Sequence, residues 1–282
     1  MGSTAPVTTH HSAPARPYTL PFGLLFGPTL RIFVRNLVPF TLLGALVLSP
    51  WVVLLLFGPE LFDLSLEAQR VAYAVAVGVL PMALSPILTG ALSFGVVRQM
   101  HGQPASVWLV FAKGFQSCLR ALLTGVLVLL RVVLFGLLAL APVLLATERL
   151  LPWVPAMLLA FVLALPALVE YLRLYVALAV AVVEPRGVGF AIRRSKELTF
   201  GSKQSILVGV LAGAWLMGAL GFLLDFVVGL LSDDDVSMHR VTMAVLQVLG
   251  AGLGATMMAV CYVQLRRGKE NVDPAALAAV FD

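Results

Sequence analysis

Four ionisable residues lie inside long apolar runs of this sequence, and they are the ones best placed to do chemistry: Arg131, Glu170, Arg173 and Asp225. A charge at the centre of a bilayer costs at least about 2.5 kcal/mol, so a retained one pairs, lines a polar path or binds something. Arg131 and Arg173 each lie roughly ten residues from the cytoplasmic end of their run, about 15 Å at 1.5 Å per residue. Glu170 is one turn from Arg173 on the same helix face, and within reach of Arg131 if the two helices are neighbours. The spacing predicts a midplane cluster of Arg131, Glu170 and Arg173, flanked by the hydroxyls of Tyr171 and Tyr175. Asp225, roughly six residues from the outer end of its run, is placed too shallow to join.

Such a cluster could hold a substrate headgroup or a proton, or it could be an interhelical salt bridge that fixes packing. The four charges sum to zero, as a structural network requires. Pro81 and Pro86, which would interrupt the second helix, point the other way, because transporters break helices where they bind ligands. Other chemistry is missing. His10, His11, His101 and His239 read as tail or loop residues with no carboxylate or cysteine at metal-ligand spacing. No Walker loop, dinucleotide fingerprint, nucleophile elbow or zinc motif occurs, so neither an enzyme nor a bound metal or cofactor is expected.

The elements that must position these residues follow from composition. A mean hydropathy of +1.00, with 60% hydrophobic and 12% charged residues, lies outside the range of soluble domains. Six apolar runs are present, at 37–57, 71–97, 121–147, 153–183, 205–231 and 241–265. Each has at least the ~20 residues that a helix needs to cross ~30 Å of hydrocarbon. Barrel strands would be about half as long and would alternate in polarity. The expectation is an all-α polytopic membrane domain over 19–268, six transmembrane helices arranged as three hairpins, with short tails at 1–18 and 269–282.

Orientation follows from the basic residues. Of 19 lysines and arginines, Arg131 and Arg173 lie inside the runs, Arg70, Arg149 and Arg240 fall on one side, and the remaining fourteen fall on the side of the termini. The three external turns are acidic or neutral, with Asp233, Asp234 and Asp235 in the last. Both termini are therefore predicted cytoplasmic. Cys118 and Cys261 then sit near the reducing compartment, where a structural disulfide is not expected. The first 18 residues, rich in Ser, Thr, Pro and Ala, read as a disordered tail and not as a signal peptide. The pI of 9.6 reflects basic loops facing lipid, and no nucleic-acid partner is expected.

A weak internal repeat adds a further element. Before the first, third and fifth helices lie segments mixing basic and bulky apolar residues: Leu30 to Arg35, Trp108 to Lys113, and Phe190 to Lys196. At helical spacing these form amphipathic interfacial helices whose Arg31, Arg35, Lys113, Arg193, Arg194 and Lys196 meet anionic lipid phosphates. The alternative is that they are ordinary positive-inside loops. A glycine follows each inside the next helix: Gly44, Gly125 and Gly209. The pairs Gly209/Gly213 and Gly250/Gly254 are small-xxx-small patterns, expected to pack the fifth and sixth helices tightly or to serve a homo-oligomer.

The third basic segment, with Glu184, Gly187, Ala191, Arg194, Ser195, Leu198, Thr199 and Gly201, follows the pattern E-x-x-G, A-x-x-R-S, x-x-L-T-x-G. It resembles a signature in the membrane domain of bacterial glycerophosphodiester phosphodiesterases and of related six-helix inner-membrane proteins. Pro185 and Lys196 depart from that pattern. The resemblance implies a bacterial inner-membrane location, but no activity, since the soluble catalytic barrel of those enzymes has no counterpart here. From the residues themselves, Glu184 either caps the amphipathic helix and pairs with Arg193 or Arg194, or helps to hold lipid. Three functions stay open: a lipid-interacting or scaffold protein binding anionic membrane lipids, a small transporter or channel built on the Arg131, Glu170 and Arg173 cluster, and a lipid-directed membrane enzyme.

Overall fold

A computed structural model describes residues 18–62, 66–100, 118–148, 152–184, 186–231 and 236–270. The described residues form ten helices and no strand: α1 (Phe22–Arg35), α2 (Leu37–Val47), α3 (Ser49–Leu61), α4 (Glu67–Met100), α5 (Cys118–Thr147), α6 (Trp153–Leu174), α7 (Ala177–Val183), α8 (Val188–Thr199), α9 (Lys203–Leu231) and α10 (Val236–Glu270). Five stretches are long and apolar enough to cross a membrane: α4, α5, α6 with α7, α9 and α10. A sixth counts if α1 and α2, bent by 83° at Asn36, are one span. The chain is an all-α polytopic membrane protein.

The predicted first run is divided at Leu48, yet its ladder continues: Leu48 N–H donates to Gly44 O at 2.8 Å and Val52 N–H to Leu48 O at 2.9 Å. The second run is not interrupted at its prolines. Helix α4 passes through both Pro81 and Pro86, because side chains take up the carbonyls that those prolines leave without donors. Trp51 Nε1 donates to Val77 O, four residues before Pro81, at 2.8 Å, and Ser85 Oγ to Met82 O, four before Pro86, at 3.1 Å. The same device recurs at Pro59, where the Tyr73 hydroxyl donates to Leu55 O at 3.4 Å. Trp51 and Tyr73 thus staple α3 to α4 in both directions.

The amphipathic segments expected before the first and fifth spans are α1 and α8; the one before the third, with Lys113, lies outside the described residues. The three repeat glycines all mark close approaches. A Cβ on Gly44 would stand 3.0 Å from Val248, one on Gly125 2.4 Å from Pro86, and one on Gly209 2.7 Å from Leu25. The core lies at one end of the bundle, called inner here. It is built from Leu88 to Val97 of α4, all of α7, and Leu253 to Leu265 of α10, and α1 and α8 cover it. Burial of large apolar side chains there is the main stabilising term. Towards the outer end, α5 and α6 instead expose Leu137, Leu144, Val154 and Phe161, as lipid-facing helices do.

The inner end is also tied at its edges. Ser202 Oγ accepts from Leu20 N–H at 3.2 Å and donates to Tyr18 O at 2.8 Å. Asn36 and Gln99 exchange two amide hydrogen bonds of 2.7 and 2.6 Å, which pins the α1–α2 corner to the end of α4. Helix α10 continues to Glu270.

Candidate functional site

The run 153–183 is broken at Tyr175 and Val176 into α6 and α7. No glycine or proline marks the break; its cause is tertiary. The last carbonyls of a helix lack internal donors, and here the Arg173 carbonyl accepts from Ser195 Oγ at 2.9 Å and from Thr199 Oγ1 at 3.1 Å. Helix α8 therefore docks against the end of α6, its Ile192 packed on Leu174 and Ala177.

That docking completes the charged cluster. Glu170, with 8% of its side chain exposed, lies 3.7 Å from Arg131 Nη1, 3.7 Å from Arg173 Nη1 and 2.7 Å from Lys196 Nζ. Arg131, Glu170 and Arg173 meet as expected, and Lys196, assigned from sequence to the lipid interface, joins them. Asp225 does not. It lies between α9 and α10, 3.3 Å from Nδ1 of His239, which is a residue of α10 and not of a loop. The neutral balance expected for the four intramembrane charges is replaced by three cations around one carboxylate. Each cation is 37–46% exposed. The midplane depth expected for the cluster assumed an unbroken helix to Val183; Arg173 is instead the penultimate residue of α6.

A second polar network closes the inner end. Glu184 Oε1 accepts from the Tyr262 hydroxyl at 2.9 Å, and the Tyr262 hydroxyl oxygen in turn accepts from Arg266 Nη1 at 3.0 Å. Arg194 faces Glu184, Glu197 and Glu270, and Arg266 Nε lies 2.9 Å from Glu270 Oε2. Lys269 Nζ donates to the carbonyls of Glu197 and Phe200 at 2.9 and 2.6 Å, capping α8. Tyr262, Glu270, Glu197 and Lys269 were not legible as partners, because they come from α10 or from exposed helix positions with no motif of their own.

The signature residues each have a position that explains them. Glu184 and Arg194 belong to the inner network, Ser195 and Thr199 cap Arg173, and Ala191 and Leu198 are buried. Gly187 and Gly201 have φ of 101° and 82° on either side of α8, where only glycine is free of strain. Of the other interfacial cations, Arg31, Arg35 and Arg193 are exposed, and Arg186 and Arg193 lie over the Phe190 ring at 5.3 and 6.0 Å.

The small-residue pairs do not form the tight seam expected of them. Gly213, Gly250 and Gly254 line a cavity of about 330 Å³ between α4, α6, α9 and α10. A Cβ on Gly254 would meet nothing within 4 Å, and Cβ atoms on Gly213 and Gly250 only the side chains of Met257 and Met217, at 3.8 Å. Close contact between α9 and α10 falls further out, at Gly221 against Leu246. Gly209 faces Leu25 of α1. No family model, curated protein or solved structure matches this chain, and its role has to be read from this geometry.

Proposed function

We propose that this chain is a non-catalytic, lipid-binding protein of a bacterial cytoplasmic membrane, with both termini on the cytoplasmic side, and that it holds an anionic headgroup at the Glu170 cluster. The observation that carries the reading is the excess of charge: one buried carboxylate orders Arg131, Arg173 and Lys196 but neutralises only one of them. Guanidinium groups left partly exposed, with donors to spare, suit a phosphate or phosphodiester. Depth supports it. From Arg131 to Thr147 and from Trp153 to Glu170 the α5–α6 hairpin has roughly 17 and 18 residues, about 25 and 27 Å at 1.5 Å per residue. Those lengths nearly fill ~30 Å of hydrocarbon, so the cluster falls at the cytoplasmic headgroup layer. Exposed Arg31, Arg35 and Arg193 add attraction to the same anionic surface.

The test is thermal unfolding of purified protein with added phosphatidylglycerol or phosphatidylcholine. Phosphatidylglycerol is expected to raise Tm of the wild type by several degrees, and Arg131→Gln/Arg173→Gln is expected to lose that shift. If the double variant keeps the shift while Arg31→Gln/Arg35→Gln loses it, the headgroup is bound at the α1 surface and the Glu170 site is wrong. A transporter or channel reading is favoured only by the cavity on the other side of α6; it would show as solute flux in proteoliposomes that the double variant lacks. A reporter fused to the C-terminus, active only in the cytoplasm, checks the orientation.

A further inference from the structure

The cavity between α4, α6, α9 and α10 is separate from the Glu170 site, since Tyr171 and Tyr175 point to a different side of α6 from Glu170 and Arg173. Its volume of about 330 Å³ lies at the small end of the range of ligand pockets. Four hydroxyl side chains line it: Ser85, which donates to Met82 O, and the three of Thr89, Tyr171 and Tyr175. None of the three makes a hydrogen bond among the described residues, although Tyr175 is only 3% exposed and Thr89 8%. The tyrosine rings fix each other edge-to-face at 5.8 Å. Hydroxyls that face an apolar cavity without protein partners are unfavourable unless something else bonds them.

The remaining wall says what that partner is. Met217, Met257, Met258 and Leu253 supply an apolar, adaptable surface, and the glycines supply the room. No charged side chain lines the cavity, which disfavours a phosphate, carboxylate or ammonium group there. Its residues all belong to candidate membrane spans, so the ligand arrives through lipid. At about 30 Å³ per water-sized group the space holds on the order of ten non-hydrogen atoms, the head of a larger molecule with its tail outside.

We propose that this cavity binds the uncharged, carbonyl-bearing head of a membrane-soluble molecule, with the Tyr171 and Tyr175 hydroxyls donating to its oxygens and the methionines packing on the adjoining carbons. Two sources share that chemistry, the ester head of an acylglycerol and the ring of a quinone.

Thermal unfolding of the full chain in detergent with dioctanoylglycerol and, separately, with a short-chain benzoquinone distinguishes them. At least one probe is expected to raise Tm of the wild type by several degrees, and the one that does so identifies the source. Gly254→Leu, placed where a Cβ meets nothing within 4 Å, fills the cavity and is expected to abolish the shift. Tyr171→Phe/Tyr175→Phe, which keeps the packing, is expected to weaken the probe at least tenfold. Arg131→Gln/Arg173→Gln is expected to keep the shift, which separates this site from the anion site. The proposal is overturned if neither probe shifts Tm, or if the shift survives unchanged in the tyrosine variant.

Discussion

Lys196 Nζ lies 2.7 Å from Glu170 Oε1, and this contact joins an amphipathic helix to the end of a membrane span. It is the shortest of the three ion pairs that Glu170 makes, and it fixes α8 beside the break between α6 and α7. An arrangement with one carboxylate and three cations is an electrostatic device as well as a packing one.

Glu170→Gln removes the only carboxylate among those cations, leaving like charges to repel around a buried amide. Partner exposure reduces the loss below that of a fully buried pair, so about 1–3 kcal/mol is expected. Lys196→Met, which leaves Glu170 two arginines, is expected to cost less than about 1 kcal/mol. Equilibrium unfolding of the two variants in detergent checks the order.

Ser195 and Thr199 share the Arg173 carbonyl, while the Thr199 hydroxyl also approaches Ser195 O at 2.9 Å. Either hydroxyl can cover that carbonyl if the other is lost. Ser195→Ala and Thr199→Val are each expected to cost about 0.5–1 kcal/mol, and the double variant about 2–3 kcal/mol, more than the sum. A double-mutant cycle that came out additive would show that the two bonds are not alternatives.

Gly187 and Gly201 hold φ values of 101° and 82°, and a Cβ on Gly201 would also stand 3.3 Å from Tyr18 O. Alanine at either position is expected to cost about 1–2 kcal/mol. Gly189→Ala, inside α8 with open space around it, is expected to be neutral or stabilising by up to about 1 kcal/mol. Melting temperatures of the three variants give the comparison directly.

Trp51→Phe keeps most of a large ring but leaves Val77 O without its donor beside Pro81. In a membrane interior such a bond is worth about 0.6–1.7 kcal/mol. Tyr73→Phe is expected to cost less, since its bond to Leu55 O is 3.4 Å long. Faster hydrogen exchange along α4 in Trp51→Phe, confined to the turns near Pro81, would locate the effect.

Much of the frame was legible. Residues 71–97, 121–147, 205–231 and 241–265 all fall within single helices, since an apolar run of that length in lipid has no other way to satisfy its backbone. The Glu170 and Arg173 pair was legible because three residues along a helix are always neighbours. The repeat glycines were visible as spacing, though not which helix each would meet. The continuity of α4 through Pro81 and Pro86 was misread: its support comes from Trp51, thirty residues away, and from a serine whose role shows only in the helix.

The sequence by itself determined the membrane class, the helical elements and the polar residues that they carry, because hydropathy and helix periodicity are local properties of the chain. Only the tertiary structure decided that Lys196 completes the cluster, that Asp225 pairs with His239, that Ser195 and Thr199 end α6, and that Gly213, Gly250 and Gly254 line a cavity. Each of these depends on how separate helices are rotated and how closely they approach. That is set by the packing of whole faces, and lipid supplies no hydrophobic contrast from which the sequence could reveal it.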